Sequence, residues 1–155
     1  MENLKIQTGK DNKILRKKSA DIPIEEIKKF DEAGLFEAMI AKMYEDDGIG
    51  LAAPQIGQSI QLCVIGKSAV PNGKDLILIN PKITYYSKKT TLAEEGCLSL
   101  PGVEADVERP AKIRLKGVDK NGEKITLKAK GLFARVLQHE IDHLEGILFI
   151  DRIKE

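Results

Sequence analysis

The sequence lacks several features that would place it in a common class. Its 155 residues contain two cysteines, too few for a disulfide scaffold. Lysine and arginine together number 25 against 24 acidic residues, and the net charge of +1 gives no bulk electrostatic case for nucleic acid or an anionic membrane. No apolar run approaches the roughly 20 residues of a membrane span. We therefore expect no direct nucleic-acid binding and no membrane partner.

The amino-terminal sequence MENLK also lacks an apolar signal-peptide core and an arginine-rich transit pattern. The cytoplasm is therefore the expected location. A length of 155 residues fits a single core, and we predict one domain over residues 1–155.

Histidine is equally scarce, with both copies in the segment His139-Glu140-Ile141-Asp142-His143. Residues four apart lie on the same face of a helix, so both imidazoles can reach one metal ion. The glutamate beside the first histidine is placed to take a proton from a water activated by that metal. This pattern favours a metal-dependent hydrolase over two surface histidines on a charged helix.

Such a site needs a third protein ligand, and the chain limits where it can lie. Glu145 is too close on the same helix. Asp151 and Glu155 belong to a tail that we predict is too short to fold back as a second supporting helix. The third ligand should therefore come from upstream.

The two cysteines upstream have different surroundings. Cys63 lies in the apolar run 60–65 and is predicted to be buried in a strand. Cys97 lies in the segment EGCLSLPG, where glycines and a proline predict a turn. Because a metal would deprotonate a thiol there, Cys97 is the better ligand candidate.

Residues 48–57 (GIGLAAPQIG) form a third unusual segment. Its glycines and small side chains suit a loop that a ligand approaches closely. It has neither the Gly-Lys-Ser/Thr of a phosphate loop nor a dinucleotide fingerprint. Gln55 is its polar side chain and can donate an amide N–H.

The remaining pattern predicts an α+β fold, with antiparallel sheets packed around a central helix that carries His-Glu-x-x-His. We expect an irregular arm over residues 1–29 with a helical turn near 12–16, and a helix over 31–45 with methionines in the core. The predicted strands are 60–65, 76–80 and 83–87, followed by a hairpin of 111–118 and 123–129. The metal-bearing helix is predicted over 132–146.

The segments GIGLAAPQ (48–55), EGCLS (95–99) and QHEIDH (138–143) together resemble the three signature motifs of the peptide deformylases. The resemblance covers nearly the whole chain, and the combination of EGCLS with His-Glu-x-x-His is highly specific. It implies a single catalytic domain that removes the formyl group from the N-terminal formylmethionine of newly made polypeptides and releases formate.

The resemblance also implies roles for individual residues. Cys97, His139 and His143 would hold one divalent metal, Fe(II) in the first place, with Zn(II), Ni(II) or Co(II) as alternatives. Glu140 would be the general base, while Gln55 and the Leu98 backbone N–H would stabilise the oxyanion. The expected substrate-binding residues are Ile49, Gly50, Gly96, Arg135 and Val136, with Arg135 contributing only its aliphatic stem.

Nascent N-formylmethionyl peptides are the implied partners, and we expect a monomer. The chain stops soon after the third motif, without the long basic helix by which some members dock on the ribosome, which puts that route in doubt. Asp142 and Arg109 are candidate supporting groups or ordinary surface charges, and Glu95 is expected to pair with Arg109.

Two other classes of function stay open at this point. A metallopeptidase that cleaves internal bonds would share the chemistry but not the EGCLS element. A structural zinc module built from Cys63, Cys97, His139 and His143 would lack the usual short cysteine spacing, and would leave Glu140 and Gln55 without a role.

Overall fold

The computed structural model describes residues 4–153, an α+β arrangement of helices and two antiparallel sheets that confirms the predicted fold class. Residues 1–3 of the predicted arm, and Glu155, lie outside this range. The helices are α1 (Lys13–Arg16), α2 (Ile27–Glu32), α3 (Leu35–Glu45) and α4 (Gly131–Leu144), with 3-10 turns at Ile24–Glu26, Ala53–Ile56 and Phe149–Arg152. The strands are β1 (Gly50–Ala52), β2 (Leu62–Ile65), β3 (Leu76–Tyr86), β4 (Thr90–Cys97), β5 (Leu100–Pro110), β6 (Lys112–Val118) and β7 (Lys124–Lys130).

The strands form one sheet of five and one of two. The larger sheet has the order β1-β2-β3-β6-β7, so β1 is one of its edges, and β4 pairs with β5 in the smaller sheet. All the strand pairs are antiparallel. Edges of the two sheets are therefore available to border a common groove.

Helix α4 packs its apolar stripe against one face of the larger sheet. Phe133, Leu137 and Ile141 share a buried cluster with Ile113 and Leu115 of β6. Burial of side chains of this size stabilises the fold by about 1.5–3 kcal/mol each. This packing fixes the helix that carries both histidines.

The opposite face of the larger sheet is covered at the β1-β2 end by α2 and α3. Phe36, Met39 and Met43 of α3 are buried against Leu62 and Val64 of β2. The methionines of this helix are core residues, as the sequence predicts. None of the helices within residues 4–153 is long and apolar enough to cross a membrane.

Several predicted boundaries were wrong for identifiable reasons. The helix expected over 31–45 is divided at Gly34, whose φ of 81° is left-handed and ends α2 before α3 begins. The strands expected at 76–80 and 83–87 form one strand, β3, with register shifts against β6. Asn80 sits at the first of these irregularities with a φ of 51°. Strands β1, β4 and β5 were not predicted, and the arm expected to be irregular contains the start of α2.

Candidate metal centre and substrate cleft

The three candidate metal ligands come together from two elements. Cys97 ends β4, where a register shift between Gly96 and Cys97 turns the side chain away from the regular ladder. His139 and His143 lie one turn apart on α4, and their ring centroids are 5.1 Å apart. One donor atom from each of the three residues falls within 4.8 Å of the others. Cys97 Sγ and His143 Nε2 are 3.3 Å apart.

A carboxylate behind His139 orients its imidazole. His139 Nδ1 lies 2.8 Å from Glu95 Oε1, so the Nε2 edge of the ring is turned toward the other donors. Phe149 stacks on the same ring at a centroid distance of 6.0 Å and an interplanar angle of 22°. The ring is therefore fixed both by a hydrogen bond and by packing.

The protonation of the donors matches a cation site. Burial lowers the pKa of His139, but the negative charge of Glu140, with Cys97 and Glu95, outweighs it and raises that pKa to about 10. Burial, with the positive charge of His139, lowers the pKa of His143 well below its usual value. The His143 imidazole is therefore held neutral, and the His139 imidazole lies in negative surroundings that attract a cation. One sulfur and two nitrogens are a donor set suited to a divalent transition metal.

Glu140 lies beside these donors but is not one of the group. Its Oε1 is buried and has no hydrogen-bond partner among residues 4–153. Burial raises its pKa to about 7, against an opposing effect of the His139 charge. A carboxylate in this state can accept a proton near neutral pH and release it again.

Gly50 in β1 makes room for that carboxylate. A Cβ built on Gly50 would stand 2.6 Å from Glu140 Oε2 and 2.9 Å from its Cγ, closer than side chains approach one another. Glycine at this position thus leaves the Glu140 side chain free to occupy its place between β1 and α4. The predicted role of this glycine was limited to substrate contact.

Gln55 is held so that its amide N–H points into the site. Its Oε1 accepts a 2.9 Å hydrogen bond from the Ala52 backbone N–H. Its Nε2 lies 3.2 Å from Ser99 Oγ and 3.6 Å from Cys97 Sγ. Ser99, which sequence reasoning did not single out, is fully buried and helps to fix this amide.

A buried ionic network supports the centre from behind. Arg109 donates to both oxygens of Glu95, at 2.6 and 2.9 Å, and to Asp142 at 2.9 Å. The expected Glu95–Arg109 pairing is confirmed. Burial alone would raise the pKa of Glu95, but hydrogen bonds from His139 and Arg109 lower it to about 2.

Two further arginines join this network. Arg135 donates from its guanidinium to Glu95 at 2.6 Å and to the Val107 carbonyl at 2.9 Å, leaving its stem to line the cleft. Arg152 donates to Asp142 Oδ1 at 2.9 Å. Sequence reasoning missed Arg152, because nothing in its local pattern links it to a helix ten residues away.

The carboxyl-terminal segment contributes more to the centre than the sequence suggested. It was predicted to be too short to fold back as a second supporting helix, and it forms a 3-10 turn at Phe149–Arg152 that contacts α4 through two side chains. It places Phe149 on His139 and Arg152 on Asp142. Asp151 accepts from Arg16 and from the Leu148 backbone N–H instead of approaching the metal donors. The conclusion that the third ligand lies upstream is unaffected.

Cys63 is separate from the centre. It is fully buried in β2 as a free thiol, and burial raises its pKa well above the usual value. It is not part of the cluster of Cys97, His139 and His143. The four-ligand structural zinc site therefore loses its second sulfur.

A cleft of about 440 Å³ opens in front of the donors. Each of the predicted substrate-binding residues lines it: Ile49, Gly50, Gly96, Arg135 and Val136. Gln55, Leu98, Cys97, His139 and Glu140 also reach it. The cleft runs between β1, an edge of the larger sheet, and β4 of the smaller one.

The family model for polypeptide deformylases matches residues 4–155. The chain belongs to the polypeptide deformylase family. It is 46% identical over 145 residues to peptide deformylase 1B, chloroplastic/mitochondrial, of Arabidopsis thaliana; the match covers 92% of this chain and 51% of that protein. The chain thus spans about half the length of this relative.

Two solved deformylases share the fold over their full chains. The peptide deformylase of Thermotoga maritima superposes with a TM-score of 0.88 at 38% identity, covering 100% of both chains. A class I type b peptide deformylase of Acinetobacter baumannii with Met-Ala-Ser bound gives a TM-score of 0.90 at 32% identity. That match covers 99% of this chain and 100% of the other.

Proposed function

We propose that this protein is a metal-dependent peptide deformylase, which hydrolyses the formyl amide at the N-terminal methionine of newly made polypeptides. The observation that carries the proposal is the convergence of Cys97, His139 and His143 beside Glu140, whose buried Oε1 has no hydrogen-bond partner among residues 4–153. Family membership supports the reaction class. The products are formate and a free methionyl amine.

In the proposed mechanism, Cys97, His139 and His143 would hold a divalent metal, which would supply Lewis acidity toward the formyl carbonyl and the attacking water. Glu140 takes the proton of that water as its oxygen bonds to the formyl carbon. The Gln55 amide N–H and the Leu98 backbone N–H stabilise the negative charge that develops on the carbonyl oxygen. Glu140 then gives its proton to the departing nitrogen as the C–N bond breaks.

Substrate binding uses the two strand edges that border the cleft. The peptide backbone pairs with the Ile49–Gly50 edge and with Gly96 as an added strand. The methionine side chain enters the apolar part of the cleft near Ile49, Leu98 and Val136. The guanidinium of Arg135 is already bound by Glu95 and two backbone carbonyls, which supports a contact through its stem alone.

For the metal, Fe(II) is our first choice, and Zn(II), Ni(II) and Co(II) fit the same donors. Iron beside a thiolate is open to oxidation, so iron-loaded protein should lose activity in air while nickel-loaded protein keeps it.

We place the reaction in the cytoplasm, since both cysteines are free thiols. The name of the Arabidopsis relative describes that protein as chloroplastic/mitochondrial. A monomer is the proposed state.

The experiment that tests the function compares three substrates with anaerobically purified protein. Formyl-Met-Ala-Ser should release formate at a rate that acetyl-Met-Ala-Ser does not approach, because the extra methyl group meets the crowded donors around the carbonyl. A longer formylated peptide should lose its formyl group without internal cleavage. Equal rates on formyl and acetyl peptides, or internal cleavage, would contradict the proposal.

A further inference from the structure

The net charge of +1 conceals a separation of charge between the two sheets. Exposed side chains on the outer face of β3, β6 and β7, the face turned away from α4, are almost all cationic. We call this surface the cationic sheet face; it consists of Lys82, Lys112, Arg114, Lys116, Lys124, Lys128 and Lys130, with Tyr85. By contrast, β4 and β5 expose Glu94, Glu104 and Asp106, with Glu94 directly opposite Asp106.

The cations of this face stand directly opposite one another. Strand register pairs Lys112 with Lys130, Arg114 with Lys128 and Lys82 with Lys116. Like charges in opposite positions of an antiparallel pair destabilise a sheet. Fold stability therefore does not account for this arrangement.

Carboxylates do little to neutralise the face. Lys82 pairs with Asp21 at 3.4 Å. The other six cations of the face form no ion pair with a nitrogen–oxygen distance of 4.0 Å or less among residues 4–153. Helices α2 and α3 cover the same side of the sheet near Ile79 and Val118, but the part beyond them is exposed.

We propose that the cationic sheet face binds the phosphate backbone of RNA. Outward side chains repeat roughly every 6.8 Å along a strand and every 4.8 Å between strands, which gives a flat array of positive charge about 20 Å long. An array of this length can contact several successive phosphates of one nucleic-acid strand. The acidic face on the other sheet orients an approaching polyanion toward this side.

The aromatic residue on this face favours RNA over an anionic membrane. Tyr85 is 47% exposed, and strand register places it opposite Arg114. The Arg114 guanidinium lies 5.1 Å from the centre of the Tyr85 ring. Single-stranded nucleic acids combine phosphate contacts with stacking on such rings. Apart from Tyr85, the face as defined offers no apolar group to insert into lipid. This inference is independent of deformylation and changes the expectation, drawn from net charge, that nucleic acid is not a partner.

The test is fluorescence anisotropy with a labelled 20-nucleotide oligouridylate, titrated with the full chain at several salt concentrations. One variant combines Lys112→Gln, Arg114→Gln and Lys128→Gln. Its matched control combines Lys10→Gln, Lys29→Gln and Lys74→Gln, exposed residues elsewhere that remove the same three charges. Lys112→Arg with Lys128→Arg retains the charge of the face.

Wild-type protein should bind with a dissociation constant on the order of 10⁻⁶–10⁻⁴ M near physiological salt. The face variant should bind the oligonucleotide at least tenfold more weakly. The slope of the logarithm of its binding constant against the logarithm of salt concentration should become less negative by about 2, which corresponds to roughly 0.7 for each of the three lost phosphate contacts. The control variant and the arginine variant should stay within twofold of wild type.

All variants should keep wild-type formate release from formyl-Met-Ala-Ser, because no altered side chain reaches the cleft. If the triple variant is unstable, Lys128→Glu alone gives the same comparison. Equal weakening by the face and control variants would show that net charge alone acts, and would overturn the proposal. Absence of RNA binding, or binding only to phosphatidylglycerol vesicles, would overturn it as well.

Discussion

At the scale of single residues, Glu95 balances the charges behind the metal donors. It accepts hydrogen bonds from Arg109 and Arg135 while holding His139 Nδ1. Removal of one partner from such a buried pair commonly destabilises a protein by about 3–5 kcal/mol, since the other charge is left uncompensated. The side chain that orients the metal ligand is thus also tied to β5 and α4.

The two cysteines should respond oppositely to substitution. Cys97→Ala removes a donor from the cluster and should abolish tight metal binding. Cys63→Ala should keep the metal and lower the free energy of unfolding by roughly 1–2 kcal/mol, a packing loss in a buried strand. Metal content after gel filtration, measured beside urea unfolding, checks both. Loss of metal from the Cys63 variant alone would contradict the ligand assignment.

Gly50→Ala should disturb the base without removing the metal. The added methyl group would overlap the Glu140 carboxylate, which must move from its present position. We expect a loss of kcat of at least tenfold at unchanged metal content. Gly117→Ala is the matched control, because its methyl group would meet Leu78 Cδ1 at a similarly short 2.9 Å in the larger sheet, outside the cleft. Unaltered kcat in the Gly50 variant would show that Glu140 need not occupy this position.

How much of the site the sequence could predict depends on the kind of interaction. The metal donors, Glu140 and Gln55 stand in dense local motifs, so their spacing could be read directly. Phe149 contacts His139 and Arg152 contacts Asp142, and both contacts depend on how the segment after α4 turns back toward that helix. Local spacing carries no signal for such contacts.

At the scale of elements, the hairpin of β4 and β5 explains why the fold prediction was incomplete. Its exposed positions are rich in acidic residues, and only Val107 among its central residues is a fully buried aliphatic side chain. A hydrophobic alternation was therefore absent, although the hairpin carries Cys97. The strands β6 and β7 show the opposite case, since their alternating lysines and aliphatic residues predicted a hairpin close to the observed bounds.

The end of α4 gives a prediction at this scale. Gly146 has a φ of 78°, and a Cβ there would overlap the carbonyl of Arg16, the last residue of α1. Gly34 has a similar φ of 81° but nothing within 4 Å of the built Cβ. Gly34→Ala should therefore lower the unfolding free energy by about 1–2 kcal/mol from backbone strain alone. Gly146→Ala should lower it by more than 3 kcal/mol.

Urea unfolding of the two variants at the same pH measures this difference. Both substitutions add one methyl group at a left-handed glycine, so the comparison isolates the packing of the amino-terminal arm on α4. Similar losses in the two variants would indicate that the arm does not hold the end of this helix.

At the scale of the whole molecule, the three proposed metal donors come from both sheet layers, one from the smaller sheet and two from α4. Cys97 belongs to the smaller sheet, whereas His139 and His143 lie on the helix packed against the larger one. A metal bound at these donors therefore links parts of the chain that are distant in sequence. Binding to the folded state alone stabilises it by about 2.7 kcal/mol when free metal is 100 times its dissociation constant.

Metal removal should accordingly lower the melting temperature. For a chain of this size, a change of that magnitude corresponds to roughly 5–10 °C. Calorimetry of the nickel-loaded protein before and after chelation measures the shift, and readdition of nickel should reverse it. Cys97→Ala protein should melt at one temperature with or without nickel. An unchanged melting temperature in the wild type would argue against a metal that links the two sheets.

We propose that Glu140 acts as the base beside a metal that it does not hold. The most direct test is kcat for formate release from formyl-Met-Ala-Ser, determined with metal content in the same samples of Glu140→Gln and Glu145→Gln. Glu145 is the matched control, because it lies five residues along and pairs with Lys18 outside the cleft. We predict wild-type metal content in both variants, near-normal turnover for Glu145→Gln, and a loss of about 10²–10⁴ in kcat for Glu140→Gln. Turnover of the metal-replete Glu140 variant within a few-fold of wild type would contradict the account.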